Sequence, residues 1–284
     1  MTDLLVTGSL GQLGRAVRAE AERRGLTVAG HDLDTLDITD PRAVHRMVRD
    51  LRPGAVINCA AMTDVDGCEA RPDRAMAVNG EAVAHLAEAC AGSGAVLVQL
   101  STDYVFPGEG QRPWREDDPP APLSVYGRSK LRGEEAARLA PRHLIVRTAW
   151  LFGPGGRNFV EAILRQVEEG RRRLQVVADQ HGCPTYAPDL ARALLDLLEA
   201  GAGGIVHATN HGHTTWYDFA RAIVELAGVT AQVLPVDTAA VPRPAPRPRY
   251  SVLDTSRLRG ILGRDLPPWR DALARYLEAR CGSW

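Results

Sequence analysis

The chain has 284 residues, 45% hydrophobic and 24% charged, with a formal net charge of −1 and a pI near 6.7. That length suffices for a full α/β core, with or without a smaller lobe, and the near-neutral balance gives no electrostatic footprint for nucleic acid. No apolar run approaches the roughly 18 residues of a membrane span, no basic segment precedes a long apolar one at the N-terminus, and the five cysteines show no Cys-x-x-Cys pair, so a cytoplasmic protein without membrane contact is expected.

Asp3 to Thr7 reads as a short buried strand. The turn Gly8-Ser9-Leu10-Gly11-Gln12-Leu13-Gly14 follows, and apolar residues at Leu13, Ala16, Val17 and Ala21 then give a helical stripe. Strand, glycine turn and helix in that order let a pyrophosphate approach the backbone and rest at a helix N-terminus. The spacing is Gly-x-x-Gly-x-x-Gly rather than the strict dinucleotide fingerprint, so the context carries the reading. Thr27 to Gly30 predicts the next strand. Asp32 then stands 18 residues beyond Gly14, where an acidic side chain meets an adenosine ribose. An acid there favours NAD by repelling a 2′-phosphate, while Arg15 behind the turn works the other way, so the choice of NADH or NADPH stays open.

Residues 41–51 predict a helix with Asp40 as cap and Pro41 in its first turn. Ala55 to Asn58 predicts a third strand that runs into small residues around Ala61. An Ala-rich helix is expected over 73–91, a fourth strand from Ala95 to Ser101 leading into Thr102, and a fifth from His143 to Thr148. Strands alternating with helices at this spacing imply an α/β fold, a doubly wound parallel (Rossmann) sheet with ligands at the carboxyl ends of its strands.

Of the 34 basic residues only Lys130 is a lysine. It follows Tyr126 at i+4, so on a helix the two share one face. An ammonium beside a phenol favours the phenolate and lowers its pKa, which makes Tyr126 a proton donor near neutral pH. Arginine is a wide fork whose charge does not titrate, whereas lysine is a compact charge that does. The Gly- and Pro-rich stretch 107–123 reads as a loop over this site.

After residue 150 the pattern loosens. Helices are predicted at 158–169, 188–200, 216–227 (capped by Thr214 or Thr215) and 268–280, and strands at 174–177 and 204–207. This gives residues 1–150 as a dinucleotide-binding domain carrying the catalytic groups, and 151–284 as mainly a smaller C-terminal substrate lobe, interleaved with the first. His207, His211 and His213 lie close in sequence, but no Cys or carboxylate pair completes a ligand set, and no metal site is expected. Prolines at 242, 244, 246 and 248 alternate with Arg243, Ala245, Arg247 and Arg249, by composition an extended linker or a polyproline II segment.

Several stretches run in order along nearly the whole chain: Ser101-Thr102-Asp103-Tyr104-Val105-Phe106, Tyr126-Gly127-Arg128-Ser129-Lys130, Arg147-Thr148-Ala149-Trp150, Asp179-Gln180-His181-Gly182-Cys183-Pro184-Thr185, Thr215-Trp216-Tyr217-Asp218 and Arg247-Pro248-Arg249-Tyr250-Ser251-Val252-Leu253. Together they resemble the extended short-chain dehydrogenase/reductase family and, within it, the dTDP-4-dehydrorhamnose reductase branch. The resemblance implies hydride transfer from NADPH or NADH to the 4-keto group of a nucleotide sugar. Tyr126 is then the proton donor, Lys130 its partner, and Thr102 a hydrogen-bond donor at the reacting oxygen. It further implies cofactor contacts from the turn residues Gly8, Gly11, Gln12, Leu13 and Gly14, from Asp32, Asp37, Ile38, Ala61, Met62 and Thr63, and from Tyr126 and Lys130. Thr102, Asp103, Trp150 and Arg247 become substrate contacts, Arg247 at the diphosphate. A homodimer is compatible with the resemblance. Related enzymes are linked to magnesium through glutamates at a dimer contact, but Ala16 stands where the pattern places one, which argues against magnesium here. Two sister readings share the motifs: a dihydrostreptose-type synthase, and a non-catalytic regulatory subunit of a methionine adenosyltransferase.

Overall fold

The computed structural model describes residues 2–281. In chain order its elements are β1 (Leu4–Thr7), α1 (Gln12–Arg23), β2 (Val28–His31), α2 (Pro41–Leu51), β3 (Ala55–Asn58), α3 (Val65–Ala70), α4 (Pro72–Met76), a π turn (Ala77–Glu81), α5 (Ala82–Ser93), β4 (Val96–Thr102), α6 (Val125–Ala137) and β5 (His143–Thr148). Then follow β6 (Leu151–Phe152), α7 (Phe159–Glu168), β7 (Arg173–Val177), β8 (His181–Gly182), β9 (Thr185–Tyr186), α8 (Ala187–Glu199), β10 (Gly204–His207), β11 (Thr214–Thr215), α9 (Trp216–Leu226), β12 (Gln232–Val236), α10 (Ser256–Leu262) and α11 (Trp269–Cys281).

Six parallel strands form the main sheet in the order β2-β1-β3-β4-β5-β10. Strand alternation sends Leu4 and Val6 to one face, packed with Leu13 and Val17 of α1 and Leu190 and Leu194 of α8. Leu5 goes to the other face, with Val44 and Val48 of α2 and Val83 and Leu86 of α5. Both faces are covered, which is why β1 is buried at every position and reads as a continuous apolar run. Burying each of these Val and Leu side chains contributes about 1.5–3 kcal/mol. The chain leaves β1 toward β2 on one side and crosses back to β3 on the other. The strand order therefore reverses between β1 and β3, and a crevice opens beyond their carboxyl ends.

The predicted helix over 73–91 is interrupted. Between α4 and α5 the chain makes a π turn around Asn79. The Asn79 side chain bonds the Met62 backbone twice, accepting from its N at 2.8 Å and donating to its O at 3.0 Å, and donates to Ser129 Oγ at 3.0 Å. A wider turn aims this amide at the strand end, a common use of such bulges. Helix α3, capped by Asp64, strand β12 and helix α10 are not foreseen from sequence.

Phe152, Val160, Ile163, Leu174, Phe219, Ile223 and Leu273 form a separate core for the second lobe. Two pieces of the second half belong elsewhere: β10 completes the main sheet beside β5, and α8 packs on α1. Stretch 107–123 does not roof the site. Trp114 stacks on Phe106 with centroids 4.9 Å apart, and Glu116 accepts from His207 N at 2.9 Å, so the loop is tied to the end of β10. His207 is fully buried against Arg147, while His211 and His213 are exposed.

Candidate active site

Two connected cavities fill the crevice. The first, about 560 Å³, is lined by Gly8, Gly11, Asp32, Asp37, Ile38, Ala61 and Met62, together with Arg71 and Arg74. The second, about 530 Å³, shares Gly8, Gly11 and Ala61 and adds Gln12, Leu13, Gly14, Thr63, Thr102, Asp103, Tyr126, Lys130, Trp150 and Arg247. The residues expected to contact cofactor or substrate, or to react, therefore all line one cleft. Its glycine turn lies tightly on neighbouring backbone. Gly8 has φ +62°, and a Cβ there would lie 2.6 Å from Ala60 N; one on Gly14 would lie 2.2 Å from the Gly8 carbonyl. The turn thus packs backbone on backbone and presents amides at the start of α1, a donor set that fits a pyrophosphate. Asp32 accepts from Leu10 N at 3.0 Å and Leu33 N at 2.9 Å, which pins its carboxylate across the turn. Arg15 lies on the other side of the turn. Its Nε donates to Leu10 O at 2.6 Å and its chain lies against Gly155; the cations lining the Asp32 cavity are Arg71 and Arg74.

Lys130 is held from beneath by a buried polar chain. Thr7 Oγ1 donates to Asn58 Oδ1 at 2.6 Å, Asn58 Nδ2 to Gln99 Oε1 at 2.7 Å, and Gln99 Nε2 to the Leu100 carbonyl at 2.8 Å. That carbonyl also accepts from Lys130 Nζ at 2.6 Å. Helix α6 is set in place at its start by Ser124, which accepts from Gly127 N, and by Glu69 of α3, which accepts from Val125 N at 2.8 Å.

The spacing-based expectation for the phenol is corrected here. Burial pushes Tyr126 above the usual tyrosine range, and a hydrogen bond with Thr102 offsets this only in part, while a negative charge on Asp103 raises it further. The ammonium is turned onto Leu100 and is itself pushed down to about 8 by burial, against the raising effect of Glu134. Sharing a helix face places the two side chains in one cavity without making the phenol acidic. Tyr126 thus keeps its proton through the neutral range, which is the form a donor needs. Its ring meets Tyr104 edge-on at 5.7 Å.

Thr102 donates to Asp103 Oδ1 at 3.0 Å and accepts from Tyr104 N at 3.2 Å, so its hydroxyl also does backbone work. Asp103 is 2% exposed and its Oδ2 has no hydrogen-bond partner. Burial raises its carboxyl to about 7, and the hydroxyls of Ser251 (turned onto the His181 carbonyl at 3.3 Å) and Thr102 pull it back only partly. Between about pH 4 and pH 7 the folded chain keeps a proton here that the unfolded chain has lost, so this carboxyl lowers stability as pH rises. In Asp103→Asn that loss disappears. The melting temperature of the variant relative to the native protein is expected to climb from about pH 5 to about pH 8, by the equivalent of a few kcal/mol. Parallel melting curves at both pH values would show that Asp103 is not held in this way.

On the far side, Trp150 adopts φ +44°, an unfavourable region for a bulky residue. It is held by stacking on Trp216, 3.5 Å between centroids, and by Gly182, where a Cβ would sit 2.3 Å from the indole. Trp216, Tyr104 and Arg247 also line a third cavity of about 640 Å³ floored by α7 and β7. The proline-rich segment is the wall of this cavity, with Ala245 N bonded to Asp66 Oδ1 at 3.1 Å and Arg247 paired with Asp66 at 3.1 Å. Trp216, Asn79 and Glu69 are the contributors that sequence reading passed over. Only Trp216 had a signal, its place in a quoted motif.

A switch-point glycine turn, a Thr-Tyr-Lys set at the neighbouring strand end and helix, and a second lobe closing a further cavity define a nucleotide-binding fold of the extended short-chain dehydrogenase/reductase type. The family model described as RmlD substrate binding domain matches residues 1–281. A dTDP-4-dehydrorhamnose reductase of Streptomyces griseus is 49% identical, covering 98% of this chain and 94% of its own. The crystal structure of a dTDP-4-dehydrorhamnose reductase from Clostridium acetobutylicum superposes with a TM-score of 0.95 at 40% identity, over 99% of this chain and 100% of that one. That of the Bacillus anthracis enzyme, in complex with NADP, also gives 0.95, at 37% identity over 98% and 100%. The chain belongs to the dTDP-4-dehydrorhamnose reductase family.

Proposed function

We propose that the protein reduces the 4-keto group of a dTDP-4-dehydro-6-deoxy-L-sugar with NADPH or NADH, converting dTDP-4-dehydrorhamnose, or a close analogue, to the 4-hydroxy sugar. The observation that carries this reading is the continuity of three cavities: one at the glycine turn, one at Tyr126, Lys130 and Thr102, one behind Arg247. A dinucleotide and a nucleotide sugar are both long, and this cleft has room for their reactive ends to meet at Tyr126. The names of the relatives, and the NADP in one of them, support the same assignment.

A reduced nicotinamide supplies the hydride. The backbone of Gly8, Gly11, Gln12, Leu13 and Gly14 would hold the pyrophosphate, Asp32 and Asp37 the adenosine side, and Ala61, Met62 and Thr63 the adjoining wall. Tyr126 gives its proton to the carbonyl oxygen as charge develops there, and Thr102 stabilises that charge with its hydroxyl. Lys130 supplies positive charge at the base of the cavity. Trp150 and Asp103 orient the sugar, and Arg247 takes the diphosphate. Acidic Asp32 and basic Arg71 and Arg74 share one cavity, so both cofactors are accepted in this reading.

The described cysteines are free thiols, which suits a cytoplasmic setting. The test is to mix the protein with dTDP-4-dehydro-L-rhamnose and NADPH or NADH and follow loss of reduced-cofactor absorbance. Turnover with formation of the 4-hydroxy sugar is expected; nucleotide binding without turnover of this or any related keto sugar would sink the reading.

A further inference from the structure

Behind Lys130 lies a buried ion pair that the reaction as described does not use. Glu134 is one helical turn beyond Lys130 on α6, 1% exposed. Its carboxylate accepts from Ser101 Oγ at 2.5 Å and from Arg147 at 2.8 Å (Nε) and 2.7 Å (Nη2). Ser101 adjoins Thr102 on β4, and Arg147 adjoins the cavity-lining Thr148 on β5. One carboxylate thus ties α6 and β4, which present the reacting groups, to β5.

The two thiols that act on Lys130 carry no negative charge at neutral pH. Cys59 at the end of β3 and Cys68 on α3 act on Lys130, but burial pushes their thiols up to about 12 and about 11. On the β10 side His207 is neutral, lowered to about 3 by burial and by Arg147. Glu134 is therefore the anion acting on Lys130 among the described residues.

We infer that Glu134 is a positioning residue: its buried carboxylate, bonded to Ser101 and Arg147, fixes the helix that carries Lys130 against strands β4 and β5 and so sets the surroundings of that ammonium one turn away. The link to catalysis rests on the proposed reductase activity; the effect on Lys130 does not.

Lys130 is the chain's only lysine, so protein made with ¹³Cε-labelled lysine gives a single side-chain NMR signal whose titration reports this residue alone. A midpoint near 8 is expected for the native protein. Glu134→Gln should lower it by about one unit or more, tenfold in proton affinity. That variant leaves Arg147 unpaired in the interior and can fail to fold. The double variant Glu134→Gln/Arg147→Met removes both charges at similar volume, and there too the midpoint should stay low, with the alkaline limb of kcat/KM moving down by the same interval. A midpoint equal to the native one in the double variant overturns the inference, since a merely structural pair is repaired by that change. If the native protein turns over no keto sugar, the proposed function falls while the NMR midpoint still decides this point.

Discussion

Tyr126→Phe should lower kcat by about 10³ while leaving cofactor and nucleotide-sugar binding nearly unchanged, the size expected when a positioned proton donor is lost. The substitution removes one oxygen. The ring stays edge-on to Tyr104 at 5.7 Å, and α6 keeps its Ser124 and Glu69 anchors. Thr102 also remains, and its hydroxyl becomes a donor to the reacting oxygen by turning from Asp103 Oδ1, so any residual rate measures what hydride delivery and one hydrogen-bond donor achieve without a local acid. Steady-state rates with equilibrium binding separate the two effects. A kcat within tenfold of native would move the proton-donor role elsewhere, and a loss confined to KM would make Tyr126 a binding group. Because burial raises this phenol, the native protein should show no fall in rate from Tyr126 ionising in the neutral range.

Lys130→Arg should cost about 10²–10³ in kcat/KM although it keeps the charge. The side chain is 4% exposed and its Nζ closes on a single carbonyl, Leu100 O, at 2.6 Å. That oxygen already accepts from Gln99. A guanidinium brings five N–H donors in a rigid plane to a slot with one acceptor, so it leaves donors unsatisfied or shifts α6. Comparing Arg with Met at this position isolates the charge. Met has similar reach and no charge; if Arg restores most of the rate that Met loses, charge alone suffices and the fit of the ammonium is irrelevant.

Both expectations depend on features read with unequal ease from the sequence. Local chemistry was legible. Asp40 caps α2 by accepting from Arg42 N and Ala43 N, and Thr215 caps α9 by accepting from Asp218 N. Strand β3 has its predicted bounds because a short apolar run between turn residues leaves few alternatives. The cleft residues were legible because strand ends, a glycine turn and the Tyr126–Lys130 spacing are contiguous signals. Helix α3 was not: it is short, and what gives it purpose is Glu69 reaching Val125, 56 residues away. The π turn was not, since an Ala-rich stretch reads as unbroken helix until Asn79 has Met62 and Ser129 to bond.

The sequence by itself determined a doubly wound sheet, the position of its dinucleotide crevice and the presence of a tyrosine and a lone lysine on one helix face, since each follows from periodicity or a fixed helical offset. Only the tertiary structure decided where charge and protons reside. A side chain's pKa depends on what surrounds it in three dimensions, and here burial decides for both groups, while the ammonium one turn away is turned onto the Leu100 carbonyl. It also decided that 107–123 ties to β10 and that β10 joins the main sheet, because pairing between distant segments is chosen by packing partners that no local pattern encodes.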